Sequence, residues 1–476
     1  MAIRQGRRPG DRRVRVERVA PRAFRVDVRR AIRRPPRQPA LVLALGFLAL
    51  IGLGTILLVL PVAAASGTWT SPLTALFTAT SAVCVTGLVV VDTATYWSPF
   101  GQVVILGLVQ VGGFGFMTGS TLLLLLLVGR RTSLSSRIVA QESAGAQDLG
   151  SVRLVLRRVA VFSLIAEGIG TVVLFVAFLA RYGDVAKAGW HGLFHSVSAF
   201  NNAGFDLMGG FASLTGFAED PFVFLPIGFL IVLGGLGVAI VADVLDKRRW
   251  ARLALETKLV LAVTGVLIAG GAAALLVFEW QNPATLGSLP PPQRALNALF
   301  ESVSFRTAGI STVPMDRLTD PSLLTAIVLM FIGGASGSTA GGIKVTTFAI
   351  LLFTIISTVR GRPHTEAFGR RVVPEAVFRA LSIALLAVAF VFAGTLALEV
   401  VGAGPDTIRV AFEMVSAFAT VGHSAAVTPA LPDAALLILI VAMFVGRLGP
   451  LTLIIALSAR ARPVPYRPAV ETIRIG

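Results

Sequence analysis

The sequence predicts an all-α polytopic membrane protein in which four pseudo-symmetric helix–pore loop–helix repeats surround one central pore. Three observations predict it. Hydrophobic residues make up 55% of the 476 positions and charged residues 14%, with a mean hydropathy of +0.81; soluble domains carry roughly 25% charged residues. Apolar runs recur along the chain, starting with residues 41–60, about the length an α-helix needs to cross a bilayer. Between those runs, one short segment returns four times.

Charge orients the chain. Its net charge is +17, and the first forty residues hold fourteen Arg against only Asp11, Glu17 and Asp27. Other basic clusters fall between apolar runs: Arg130, Arg131 and Arg137; Arg153, Arg157 and Arg158; Lys247, Arg248, Arg249 and Arg252; Arg360, Arg362, Arg370 and Arg371; Arg460, Arg462 and Arg467. Basic residues concentrated in alternate loops follow the positive-inside rule. Both termini are therefore expected in the cytoplasm of a multi-pass plasma-membrane protein. The basic tail is expected near anionic lipid, and nucleic acid is not the expected partner. Cys84 is the single cysteine, which excludes an intrachain disulfide. The first apolar run starts too late and runs too long for a signal-peptide core, so no cleaved leader is expected.

The repeats follow in order. After the basic tail, 1–40, come repeat 1 (41–130), repeat 2 (150–245), repeat 3 (254–360), repeat 4 (373–460) and the C-terminal tail, 461–476. The shared segments read Leu76-Phe77-Thr78-Ala79-Thr80-Ser81, Leu193-Phe194-His195-Ser196-Val197-Ser198, Leu299-Phe300-Glu301-Ser302-Val303-Ser304 and Ala411-Phe412-Glu413-Met414-Val415-Ser416. They lead to Val85-Thr86-Gly87, Asn202-Ala203-Gly204, Thr307-Ala308-Gly309 and Thr420-Val421-Gly422, whose glycines lie 117, 105 and 113 positions apart. Each segment is too short to span a bilayer and sits between two runs that can: 41–60 and 100–128, 159–179 and 222–241, 259–278 and 323–358, 380–400 and 434–457. That makes eight spanning helices and four re-entrant pore helices. Non-helical backbone at membrane depth survives only when buried in protein or lining a cavity, so four such loops point to a pore. The second long helices also share glycines: Gly112, Gly234, Gly333 and Gly446 lie 24 to 30 residues beyond the loop glycines. Close helix packing accounts for some of these, but not for their recurrence at one place.

A cation that sheds its water needs oxygen ligands, and rings of backbone carbonyls supply them in potassium channels. Glycine permits the backbone angles such a run requires. Thr420-Val421-Gly422 repeats the first three residues of a Thr-Val-Gly-Tyr-Gly filter. The pore-helix C-termini would aim their negative dipole ends at the ion. These four triplets, with the run Phe331-Ile332-Gly333-Gly334-Ala335-Ser336-Gly337-Ser338-Thr339-Ala340-Gly341-Gly342-Ile343-Lys344, resemble the Trk/Ktr/HKT superfamily of potassium transporters. Within it the chain is most similar to the KtrB-type membrane subunits, since it has four units and no extra helix pair ahead of the first.

The resemblance implies potassium uptake through the four triplets, a homodimer with one pore per subunit, and a cytosolic ring of nucleotide-binding RCK subunits. It implies no tightly bound cofactor, K+ as the transported ion, and leaves Na+ open as an activator. In related plant transporters a serine in the first loop goes with sodium preference, so Gly87 speaks for potassium. It also casts 333–342, with Lys344, as a gate beneath the filter. The residues agree with a broken helix, because so many glycines and serines would unwind a span; a phosphate loop lacks its Gly-Lys-Ser/Thr ending. Arg447 stands where the other units have glycine, and a cation buried in a membrane is costly and usually functional. It would repel a conducted cation, pair with carbonyls of the Gly-rich run, or both.

Glu301, Glu413 and Arg306 are expected to pair behind the filter. His191 and His195 have metal-ligand spacing but no third ligand, so no transition-metal site is expected. His423 follows the fourth filter glycine, where the family more often has an apolar residue. An alternating-access cation symporter, which also uses broken helices, is the alternative. No Ser/His/Asp, Cys/His or metal constellation supports an enzyme.

Overall fold

The computed structural model describes residues 39–129, 149–404 and 406–459. The basic tails and the loop holding Arg130, Arg131 and Arg137 lie outside the described residues. The unit considered below is Ala40–Gly476; the other, Met1–Pro39, contributes only Pro39.

Each repeat is a long helix, a short helix with a loop, and a second long helix. Repeat 1 comprises α1 (Pro39–Val59), α2 (Pro72–Cys84), the single turn α3 (Thr93–Tyr96) and α4 (Pro99–Gly129). Repeat 2 comprises α5 (Leu149–Tyr182), α6 (Val185–Phe200) and α7 (Pro221–Lys247). Repeat 3 has α8 (Leu255–Glu279), α9 (Pro291–Ser304) and a second span split into α10 (Asp320–Phe331) and α11 (Val345–Val359). Repeat 4 has α12 (Pro374–Val400), α13 (Thr407–Phe418) and α14 (Asp433–Ala459). A small antiparallel hairpin, Glu366–Ala367 with Arg370–Arg371, joins the last two repeats. Among the described residues, five helical stretches are long and apolar enough to cross a membrane, one each in α4, α5, α7, α8 and α12.

The short helices begin where the sequence lets them. Pro72 and Pro291 open α2 and α9, where a missing N–H costs nothing. Asp184 and Asp406 cap α6 and α13, accepting from Ala186 N at 2.8 Å and Arg409 N at 3.0 Å. Each short helix packs on a long helix of its own repeat and also against the second long segment of the preceding repeat: α4 on α6, α7 on α9, α10 on α13, and α14 on α2. That last contact closes the ring.

Burial follows the ring. The short helices are buried over half or more of their length, whereas the long helices present Leu164, Ile169, Val172, Phe378, Leu385 and Phe392 outward. Apolar surface of that extent suits lipid. The break in the second span of repeat 3 is matched in α7, where Gly237 is non-helical at φ 75°, ψ 161°. A Cβ on Gly237 would sit 3.1 Å from Gly337 O, so the kink makes room for the Gly-rich run.

Candidate functional site

The four triplets meet at the centre of the ring. A Cβ on Gly87 would lie 2.6 Å from Gly204 Cα; one on Gly204, 3.1 Å from Ala308 O; one on Gly309, 2.9 Å from Gly422 Cα; and one on Gly422, 3.1 Å from Gly87 Cα. The carbonyl oxygens of the middle residues, Thr86, Ala203, Ala308 and Val421, all fall among these close approaches. No side chain fits there, which is why all four positions are glycine.

Backbone angles explain how the carbonyls come together. The third residue of each triplet has φ of 91°, 75°, 70° and 102°, and the first residue is also left-handed: Val85 at 57°, Asn202 at 57°, Thr307 at 76° and Thr420 at 49°. A left-handed β-branched residue is an outlier, and three of these four are β-branched. Each costs about 1–3 kcal/mol, and such strain gathers at functional sites. Left-handed residues on either side of an ordinary one let successive carbonyls point to one side rather than alternate as in a strand. The side chains nonetheless leave polar atoms bare: Thr86, Thr307 and Thr420 Oγ1 and Asn202 Nδ2 are buried without a hydrogen-bond partner among the described residues. Three of these four are oxygens, the atom a dehydrated alkali cation takes.

The serine ending each shared segment clamps its own loop. Ser81 Oγ accepts from Gly87 N at 3.0 Å, and Ser416 Oγ from Gly422 N at 3.2 Å. Ser198 donates to Phe205 O at 2.6 Å; Ser304 donates to Ile310 O at 2.5 Å and accepts from Ile310 N at 3.1 Å. In repeats 2, 3 and 4 the residue after the shared phenylalanine has a related task; in repeat 1 the Thr78 hydroxyl makes no such bond among the described residues. Glu301 accepts from Thr312 N at 2.6 Å, and Glu413 accepts from Ala425 N at 2.9 Å and from the Ser424 and Thr428 hydroxyls. His195 donates through Nδ1 to His191 O at 2.7 Å, which leaves Nε2 to accept from Leu207 N at 3.3 Å.

This corrects the expected charge pairing. Among the described residues Glu301 and Glu413 take no cation; they hold loop backbone. Arg306 instead donates to Gly333 O at 2.8 Å. Two further clasps had no signal in the repeats. Glu279, buried, accepts from Thr319 N at 2.9 Å and the Thr285 and Ser322 hydroxyls. Glu167 joins Gln110 at 2.9 Å and Asn201 at 3.0 Å, beside the second triplet.

Beneath the triplets runs the Gly-rich segment. Its ends are tied together, Gly333 N to Ile343 O at 2.9 Å and Val345 N to Gly334 O at 3.0 Å. Ala335 N bonds Gly235 O at 2.9 Å, and the Thr339 hydroxyl bonds Asn202 Oδ1 at 2.9 Å. A Cβ on Gly341 would lie 2.5 Å from Ala419 O, immediately before the fourth triplet. Ser336 bonds Thr346 Oγ1 at 3.1 Å, Ser338 Oγ donates to Ala335 O, and Gly342 lies under Ala419 with φ 61°. Arg447, 1% exposed, donates to Thr339 O, while Nε and Nη2 find no partner among the described residues. Its guanidinium lies 4.4 Å from the centre of the Phe116 ring; Lys344 Nζ lies 4.8 Å from it and donates to Ala340 O. Phe116 was invisible in the repeats. Two cations and an aromatic ring thus brace the run from below.

The recurring helix glycines are explained by the same packing. A Cβ on Gly112, Gly234 or Gly446 would strike the carbonyl of Val83, Phe200 or Phe418, each four residues before a loop glycine. In repeat 3, Gly333 meets Gly341 O instead. On the opposite side of the triplets, a cavity of about 460 Å³ is lined by the four loop glycines, His423 and three carboxylates, Asp92, Asp206 and Asp316.

Comparison with known proteins identifies the family and the fold. Residues 31–462 match the family model TrkH, described as cation transport protein. The chain is 39% identical over 425 residues to the Ktr system potassium uptake protein B of Bacillus subtilis, covering 88% of this chain and 93% of that one. It is 37% identical to the potassium/sodium uptake protein NtpJ of Enterococcus hirae, covering 92% and 97%. In three dimensions it resembles the potassium transporter TrkH of Vibrio parahaemolyticus with a TM-score of 0.68 at 20% identity, over 90% of this chain and 86% of that one. The chain belongs to the TrkH family of cation transport proteins.

Proposed function

We propose that this protein takes up potassium ions across the plasma membrane as the channel-like translocating subunit of a Ktr/Trk-type system. The observation that carries the proposal is the ring itself. Four glycine loops, each with a left-handed residue on both sides of a buried carbonyl, meet at one point with unpartnered threonine oxygens below them. Such a ring offers a dehydrated K+ fixed oxygens in place of water. In this reading Val85 to Gly87, Asn202 to Gly204, Thr307 to Gly309 and Thr420 to Gly422 form the selectivity filter, and the acidic cavity is its outer mouth.

The run 333–342 with Lys344 and Arg447 is then the gate, closed as described. It lies under the second and fourth loops, and a buried guanidinium with two unpartnered nitrogens raises a positive barrier below the filter. Eight spans, four re-entrant helices and cytoplasmic termini complete the topology, with repeat bounds 41–130, 150–245, 254–360 and 373–460. The names of the relatives support K+ as cargo, and one names sodium as well. Relatives named as parts B and D of Ktr systems support a further component; we assign that role to a cytosolic RCK ring beneath a homodimer. Expression in cells lacking potassium uptake, with and without external sodium, tests the proposal. Growth on low potassium is expected; rescue on another alkali cation but not on potassium would overturn it.

A further inference from the structure

Just past the ring, one side chain crosses from repeat 4 to repeat 3. The residues following the four loop glycines are Leu88, Phe205, Ile310 and His423, all buried. Three are apolar and one is not. The imidazole of His423 lies edge-on to Phe305, 5.1 Å between ring centres, and its Nε2 is 3.1 Å from Ser304 Oγ. Ser304 is the clamp of the third loop. Its hydroxyl has one hydrogen and two lone pairs. The hydrogen goes to Ile310 O, and one lone pair takes Ile310 N–H. Only an N–H from the histidine satisfies the remaining lone pair, so Nε2 carries the proton.

Here the four-fold pattern breaks. Among the described residues Ser81, Ser198 and Ser416 hold only their own loops, each through a bond to its own repeat. Ser304 alone among these clamps also takes a side chain from the next repeat. We infer that His423 is a positioning residue for cation selection, joining the third and fourth glycine loops through an Nε2–H donated to Ser304 so that the two loops keep a common spacing. It touches no ion in this role; it acts through Ser304. The inference rests on the proposed filter.

The test is competition of external Na+ against Rb+ uptake in vesicles holding the full-length protein, read as the ratio of inhibitory Na+ to K+ concentrations. That ratio does not depend on how much protein is inserted, which a purely structural loss would change. His423→Gln keeps an N–H donor and should stay within about twofold of the parent ratio, whereas His423→Leu should lower it about fivefold or more, by the usual size of a lost buried hydrogen bond. Equal ratios in both variants, altered or not, would overturn the inference. If His423→Leu does not reach the membrane, Ser304→Ala is compared with Ser416→Ala: a larger loss of selectivity in the first is expected, and equal losses would overturn it. Failure of the parent protein to take up Rb+ at all would instead strike the proposed function.

Discussion

At the residue scale, the glycine positions are decided by neighbours rather than by their own flexibility alone. Gly87 has both a left-handed φ of 91° and a neighbouring carbonyl, Ala203 O, 2.5 Å from where a Cβ would stand. Gly87→Ala should therefore widen the ring and cut potassium uptake at least tenfold, since a clash with backbone cannot be relieved by a rotamer change. Gly107→Ala, in α4 with open space around it, should leave uptake unchanged; Rb+ flux in vesicles measures both. Asp206 offers a separate test at the mouth. Burial, with Asp92 nearby adding to it, pushes its carboxyl up to about 6, while the Met208 N–H bond at 2.9 Å opposes the shift. The group should therefore be mostly charged at pH 7.5 and mostly neutral at pH 5. A negative mouth concentrates cations, so the external KM for potassium should rise as pH falls through 6, by about twofold to fivefold for one partly screened charge. Asp206→Asn should match the parent's KM at pH 5, keep that raised KM at pH 7.5, and so lose that part of the pH dependence; a parent-like profile in the variant would exclude Asp206 as its source.

At the element scale, the Gly-rich run is held mostly by backbone, and its proposed role as a plug can be tested on its few side-chain ties. Arg447 and the Thr339 hydroxyl are its side-chain ties to the neighbouring repeats at the point where it crosses beneath the second loop. Arg447→Ala should raise Rb+ flux several-fold by removing both a tether and a buried positive charge, and deleting 336–341 should raise it further. Flux unchanged by both changes, with protein present in the membrane, would exclude this segment as the barrier. The break itself was legible, because Gly and Ser at that density cannot sustain a helix. So were the short helices and their triplets, since the Phe-x-x-x-Ser lead is a local pattern repeated four times. Other features were not. That Glu301 and Glu413 would clasp Thr312 and Ala425 instead of Arg306 depends on where the loop turns back, which no spacing encodes. Phe116 reaches Arg447 and Lys344 from another repeat, and an aromatic residue in an apolar helix looks like any other. His195 carries the spacing of a metal ligand, yet both ring nitrogens are taken by backbone.

At the scale of the whole molecule, the central site exists only when all four repeats are folded and in register. Each short helix rests on the preceding repeat, and α14 returns to α2, so no single repeat can bind an ion with four loops. A ligand that binds only the folded ring must stabilise it, by about 2.7 kcal/mol at a hundredfold excess over its Kd. Replacing choline with K+ at constant ionic strength should therefore raise the unfolding temperature of the detergent-purified protein by a few degrees. Na+ should raise it less, because its smaller radius leaves the fixed oxygens too far apart. Gly87→Ala should lower the choline baseline and abolish the K+ increment above that baseline, and the increment, read against each variant's own baseline, separates loss of the site from loss of the fold. The gate deletion should keep the increment, since the ring above the plug remains intact. Equal protection by K+, Na+ and choline would mean that the converging carbonyls hold no selective ion, and the ring would then be a packing solution rather than a filter.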